Sequence, residues 1–328
     1  MGNVRQEMPL LYALKAVCAA GVVYLHTWYK NEYIFLFARL AVPIFFMISG
    51  YFLYNATSIL DNKKVMSSIK KTIGLIIWAN LIYILYHLLM WIVTGEAAIR
   101  INILRYFLTW FISGANLCLP LWYLHAYIQA LLCILLLVKI FNSEKLLVWI
   151  AALLSIGGIL IGKYAFLWNI NNIEITGWAY RNFLFYGIPC IIWGMIIKKH
   201  ETHITNKRSL LVWATTLLLF VIEIKGYQHI ASFGGNGDLA IMSIPLAMST
   251  ILVCIKYKDT FSMKNPLVII GKHYAMQIYV LHILFYMICL YYWEKPYQHS
   301  EIIYTICVAA PIVSTWLFHH LKKGIINK

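Results

Sequence analysis

Several ionisable side chains of this 328-residue chain lie inside long apolar runs, among them Lys15, His26, Arg39, His125, Lys272, His273 and His282. An ionisable group in hydrocarbon is costly and marks a functional site by default. Imidazole titrates near working pH and moves protons, whereas lysine and arginine hold anions. Lys15 and His26 are eleven residues apart, close to three helical turns, so they face the same side of one helix. With the N-terminus taken as inside, a rise of ~1.5 Å per residue puts Lys15 ~10 Å and His26 ~27 Å above the inner end of their run. In the next run Arg39 lies ~9 Å and Ser49 ~24 Å below the outer end. His125, beside Trp122 and Tyr123, lies ~10 Å below an outer end, and His273 and His282 lie ~10 Å and ~24 Å above an inner one. These depths form two levels. His26, Arg39, His125 and His282 fall in the outer half. Lys15, Ser49, Lys272 and His273 fall in the inner half, above Lys63, Lys64, Lys70 and Lys71. Together they suggest a site that runs through a membrane.

Each position also has a structural reading. His125 and His282 near helix ends, and His26 taken alone, also read as interfacial residues wetted by headgroups. Lys15 reads as a lysine snorkelling to the inner surface, Arg39 as a helix-to-helix anchor, and Lys70 and Lys71 as topology signals. His200, His203, His299, His319 and His320 fall in loops or at ends and are expected in solvent. His87 and Glu223 have no assigned place.

The elements that must position these groups follow from composition. The chain is 62% hydrophobic and 12% charged, against ~45–50% and ~25% in soluble domains. It has too little polar side chain to cover a soluble globule, so a soluble enzyme, a disordered chain and a coiled coil are excluded. The net charge of +15 would suit nucleic acid, but in so apolar a chain it fits the positive-inside rule instead. The seven cysteines are scattered with no CxxC pair, which implies no disulfide framework and no metal site.

A crossing helix needs ~20 mostly apolar residues. Ten runs qualify: 8–28, 33–55, 72–94, 118–140, 146–164, 181–198, 208–225, 238–256, 266–290 and 300–320. The expected fold is all-α and polytopic, a single integral-membrane domain over 1–328 with no appended soluble domain. Residues 101–113 are apolar but short and read as an interfacial segment. Lysines and arginines number 17 in one set of loops and 7 in the other, which places both termini in the cytoplasm.

Five segments, in order, resemble acyltransferase family 3, the membrane O-acyltransferases. Lys15 and His26 occupy the spacing of that family's Arg…His pair in the first helix. RLAVPIFFMISGYFL (Arg39 to Leu53) resembles its VP-FF-x-x-SG-[FY] signature. LPLWYLHAYIQALL (Leu119 to Leu132) is similar to its W-[FY]-L helix, and RNFLFYGIPCIIWGMIIKK (Arg181 to Lys199) to its R-N-x-x-[FY] segment. GKHYAMQIYVLH (Gly271 to His282) resembles its late G…S-x-x-I-Y-x-x-H pattern. Tyr12 and Lys15 stand where the family has Asp and Arg, and Tyr274 where it has Ser.

The resemblance implies transfer of an acyl group, most often acetyl, from cytoplasmic acyl-CoA to a hydroxyl. The acceptor would be a cell-surface glycan or lipid-linked sugar, as for compact bacterial O-acetyltransferases of the inner membrane. In that reading His26 is the base, and Arg39 or His282 stabilises developing negative charge. Lys15, Lys70 and Lys71 hold CoA phosphates, with Ser49 and Gly50 allowing close backbone approach. Trp122, Tyr123, His125 and Arg181 lie on the acceptor side. Ser49 as a nucleophile would need an adjacent base, and its depth argues against one. The donor is acetyl-CoA, with no metal and no nucleic acid, and oligomeric state is left open. The alternative is a transporter or flippase of an anionic or lipid-linked substrate, although no internal repeat supports it.

Overall fold

The computed structural model describes residues 7–27, 31–95, 118–168, 177–230 and 239–326. Among them the chain is helical almost throughout, with one hairpin of two two-residue strands. It divides into two compact units, Met1–Ala41 with Ile251–Lys328, and Val42–Thr250. This is an all-α polytopic membrane protein.

The first unit is built around α1 (Pro9–His26), which starts on a proline at its first position, where the missing N–H loses nothing. Its far end leads into α2 (Glu32–Ala38), capped by the Asn31 side chain, which accepts from the N–H groups of Tyr33 and Ile34. The Tyr24 hydroxyl donates to the Asn31 carbonyl and fixes that turn. α10 (Pro266–His273), α11 (Ala275–Tyr292) and α12 (Ser300–Ile326) pack on α1. The tightest approach is at Gly271 of α10, where an added Cβ would lie 1.7 Å from the carbonyl oxygen of Tyr12. Small residues let helix backbones meet in this way inside membranes.

The second unit opens with α3 (Ala41–Leu53), and a hairpin, β1 (Tyr54–Asn55) and β2 (Ile59–Leu60), leads to α4 (Asn62–Thr94). Asp61 caps α4 by accepting from the Lys64 N–H, and Gly95 at φ 71° ends it. α5 (Trp122–Phe141) and α6 (Glu144–Ile161) follow, separated by Asn142 in the left-handed region. A π-helical turn at Phe183–Gly187 precedes α7 (Ile188–His200); α8 (Asn206–Ile230) and α9 (Ser243–Lys256) complete the order. α3 and α7 cross through a reciprocal pair of glycines. A Cβ on Gly50 would meet the Ile191 carbonyl oxygen at 1.9 Å, and one on Gly194 would meet that of Met47 at 1.9 Å. The close approach expected at Gly50 is thus to another helix.

All ten expected runs contain helix. Among the described residues eight segments are long and apolar enough to cross a membrane, one of them Tyr33–Leu53 taken across the α2–α3 turn. The runs 181–198 and 238–256 hold helices of only 13 and 14 residues. The run 33–55 is broken at Arg39–Leu40, and 266–290 at Tyr274. The depths counted for His273 and His282 therefore do not refer to one continuous helix. α4 begins ten residues before the expected 72, so Lys63, Lys64, Lys70 and Lys71 lie on helix. The segment 101–113 lies outside the described residues.

Candidate active site

In the first unit, α1 carries Lys15 and His26, and α11 carries His282. His26 is the last residue of α1, half-buried, with Nδ1 2.8 Å from the Val22 carbonyl oxygen. His282 is 1% exposed. Its Nδ1 lies 2.7 Å from the Tyr279 oxygen and 3.1 Å from the Ile278 oxygen, while its Nε2 lies 3.4 Å from His26 Nδ1. The two rings have centroids 5.1 Å apart and are inclined by 55°. Two imidazoles 256 residues apart in the chain thus meet at one level. Packing from α12 supports this end of α1, with the Tyr304 ring edge-on to Tyr24 at 6.0 Å.

Arg39 sits at the α2–α3 turn with its guanidinium 4.5 Å from the Phe35 ring centroid, a cation–π contact. Lys15 is half-buried three turns below His26 and pairs with no carboxylate among the described residues. The acid just before the start of α1 is Glu7, and it bonds Lys272 at 2.8 Å; the Lys272 ammonium also lies 5.6 Å from the Tyr12 ring.

The remaining candidates belong to the second unit. The Ser49 hydroxyl donates to the Phe45 carbonyl at 3.0 Å, and the Tyr123 and Tyr127 hydroxyls lie within hydrogen-bonding reach of it. Tyr123 is buried, its ring 4.5 Å from Phe46 and stacked with Tyr127 at 6.2 Å. Trp122 meets Tyr186 edge-on at 5.8 Å. His125 is 8% exposed, with Nδ1 3.2 Å from the Leu121 oxygen. It is therefore enclosed by protein, not wetted at an interface. Arg181 is half-buried beside Gly177, its guanidinium 5.6 Å from the Tyr180 ring. Lys70 and Lys71 are exposed on α4, on the face away from its buried stripe.

One polar cluster had no forecast. A bowl of about 710 Å³ in the second unit is lined by Tyr54, Thr57, Asn142, Glu144, Lys198 and Lys199, among others. Glu144 accepts from both Lys199 and the Tyr54 hydroxyl. The Glu144 hydrogen bond holds the Lys199 ammonium above the usual lysine range, and burial, with Glu144 alongside, pushes the Tyr54 phenol up. Lys198 bonds Glu201 at 2.7 Å, and Glu201 accepts from Tyr51 at 2.6 Å. Glu223 also gains a place. Its carboxylate accepts from the N–H groups of Ile241 and Met242 and from the Tyr164 hydroxyl, tying three segments together.

Residues 11–320 match the family model described as an acyltransferase domain, that of acyltransferase family 3. The chain belongs to this family. No curated protein and no solved structure matches it. The family match spans both units, and all eleven candidate residues of this membrane acyltransferase lie inside it.

Proposed function

We propose that this acyltransferase moves an acetyl group from cytoplasmic acyl-CoA to a hydroxyl of a cell-surface glycan or lipid-linked sugar at the inner membrane. The observation that carries the reading is the contact between His26 and the buried His282. Acyl transfer to a hydroxyl needs a base beside the attacking oxygen, and an imidazole on a half-buried helix end suits that task. A cation is needed where negative charge develops on the carbonyl oxygen; Arg39, on the element that follows α1, is the candidate. Lys15 keeps an ammonium uncommitted to any described acid and so is available to a phosphate of the donor, with Lys70 and Lys71 as further point charges. Trp122, Tyr123, His125 and Arg181 are assigned to the acceptor side. Pairing of Lys272 with Glu7 takes that lysine out of donor binding.

The test is release of free CoA and acetylation of a sugar acceptor by the purified protein in nanodiscs with acetyl-CoA. Wild-type protein should do both and His26→Ala neither. Transport of a lipid-linked sugar with no thioester cleavage would instead establish the flippase alternative.

A further inference from the structure

The carbonyl contacts of the two histidines determine which nitrogen carries hydrogen on each ring. A carbonyl oxygen only accepts. With Nδ1 of His282 facing the oxygens of Tyr279 and Ile278, the hydrogen is on Nδ1. A neutral imidazole has one N–H, so Nε2 of His282 holds a lone pair. A doubly protonated ring at this buried position would be a cation beside a second imidazole, which is costly. The same reasoning holds for His26. Its Nδ1 faces the Val22 oxygen, so Nδ1 bears the hydrogen and Nε2 the lone pair. The hydrogen between the rings is thus the one on His26 Nδ1, shared between the Val22 oxygen at 2.8 Å and His282 Nε2 at 3.4 Å.

We infer that His282 is a positioning residue that acts only as an acceptor: it receives the Nδ1–H of His26 and so leaves His26 Nε2 as the basic atom. The inference rests on the acyl-transfer reading above and adds the direction of the hydrogen bonds. In the reaction the acceptor hydroxyl gives its proton to His26 Nε2 as its oxygen bonds to the thioester carbonyl carbon. The C–S bond then breaks, and the sulfur takes the proton back from Nε2. Acyl moves from sulfur to oxygen, and one proton moves from oxygen to sulfur. While His26 is an imidazolium its Nδ1–H bond to His282 is charge-assisted and stronger than in the resting state. The contact therefore favours the intermediate over the ground state, which is what raises turnover. His282 has no N–H left for the oxyanion, so that role passes to Arg39.

The experiment uses full-length protein in nanodiscs with ring-¹⁵N histidine. His26→Gln and His282→Gln samples assign the signals. In the resting protein both rings should show a protonated Nδ1 and an unprotonated Nε2, although free histidine prefers the opposite tautomer. Turnover with acetyl-CoA is measured in parallel. His282→Leu should lower kcat by about 10–100-fold, the range by which loss of a partner that orients a metal-bound histidine lowers activity, with KM for acetyl-CoA unchanged. His282→Gln can present an amide oxygen to His26 Nδ1 and should recover most of the loss. A hydrogen found on His282 Nε2 would overturn the inference, as would full turnover in His282→Leu while His26→Ala is inactive. Full turnover in His26→Ala would instead remove the acyl-transfer role of His26 itself.

Discussion

Gly271 lies against the carbonyl oxygen of Tyr12 so closely that a Cβ there would stand 1.7 Å from it. This contact joins α10 to α1 at backbone level and references the start of one histidine-bearing segment to the start of the other. Gly271→Ala must force the helices apart, and overpacking of this kind costs about 1–3 kcal/mol or more. Gly74→Ala is the control, since nothing lies within 4 Å of a Cβ there. In mid-helix that change should stabilise by about 0.5–1 kcal/mol. Thermal unfolding of both variants should show opposite signs. Equal shifts would mean that the backbone contact is slack.

His26→Ala should keep the fold, because alanine is benign in a helix, and should keep donor binding. It should lose acyl transfer by the ~10²–10⁴-fold that general acid–base catalysis typically supplies. His125→Ala should lose less, since His125 is assigned to the acceptor side and not to the base. Acetyl transfer to sugar, with CoA affinity measured on the same preparations, separates the two.

Lys15→Ala together with Lys71→Ala should weaken CoA binding. The effect of salt on wild-type binding should be larger than on the variant, because exposed phosphate contacts are screened. Lys15→Arg should be tolerated, since it restores the residue typical of the family. Unchanged affinity in the double alanine variant would leave both lysines with a topological role only.

Asp61 tests the start of α4. The Lys64 backbone N–H, with the Lys64 ammonium alongside, holds its carboxyl below the usual carboxylate range. A lowered value means the cap stabilises above the ordinary carboxylate range and is lost as pH falls through the folded-state value. Asp61→Ala should therefore cost about 1 kcal/mol near neutrality and less once the wild-type carboxyl is protonated. Hydrogen exchange at the Lys64 amide, followed down in pH, reads this directly.

Much of the fold was legible because lipid imposes a simple rule, an apolar run for each crossing. Irregularities inside a long, mostly apolar run were harder to read. The break at Tyr274 follows Lys272 and His273, and the π turn at Phe183–Gly187 stands just before Pro189, but none of these residues by itself fixes where a helix stops. His26 and Lys15 could be placed together because three turns of one helix suffice. The pairing of His26 with His282 is tertiary, and matching depths alone do not require contact. Gly50 was visible as a close-approach position, but its partner, Ile191, is set by helix crossing. The Tyr51–Glu201–Lys198 and Tyr54–Glu144–Lys199 groups were missed because each unites residues from separate helix ends.

The buried residues of α4 are Val65, Ile69, Thr72, Ile76, Ala79 and Tyr83, two interleaved series that each repeat every seven. A straight α-helix drifts ~20° per heptad against such a repeat. Over the two and a half heptads from Val65 to Tyr83 that drift stays within the width of one helix face, so a single stripe can serve the packing of α4, whose neighbours include α5. In heptad terms Ile69 is an a position and Thr72 a d position, so Lys70 and Lys71 fall at b and c, the outermost sites of the turn. A neighbour packed along the stripe therefore leaves both ammonium groups uncovered, as their exposure shows.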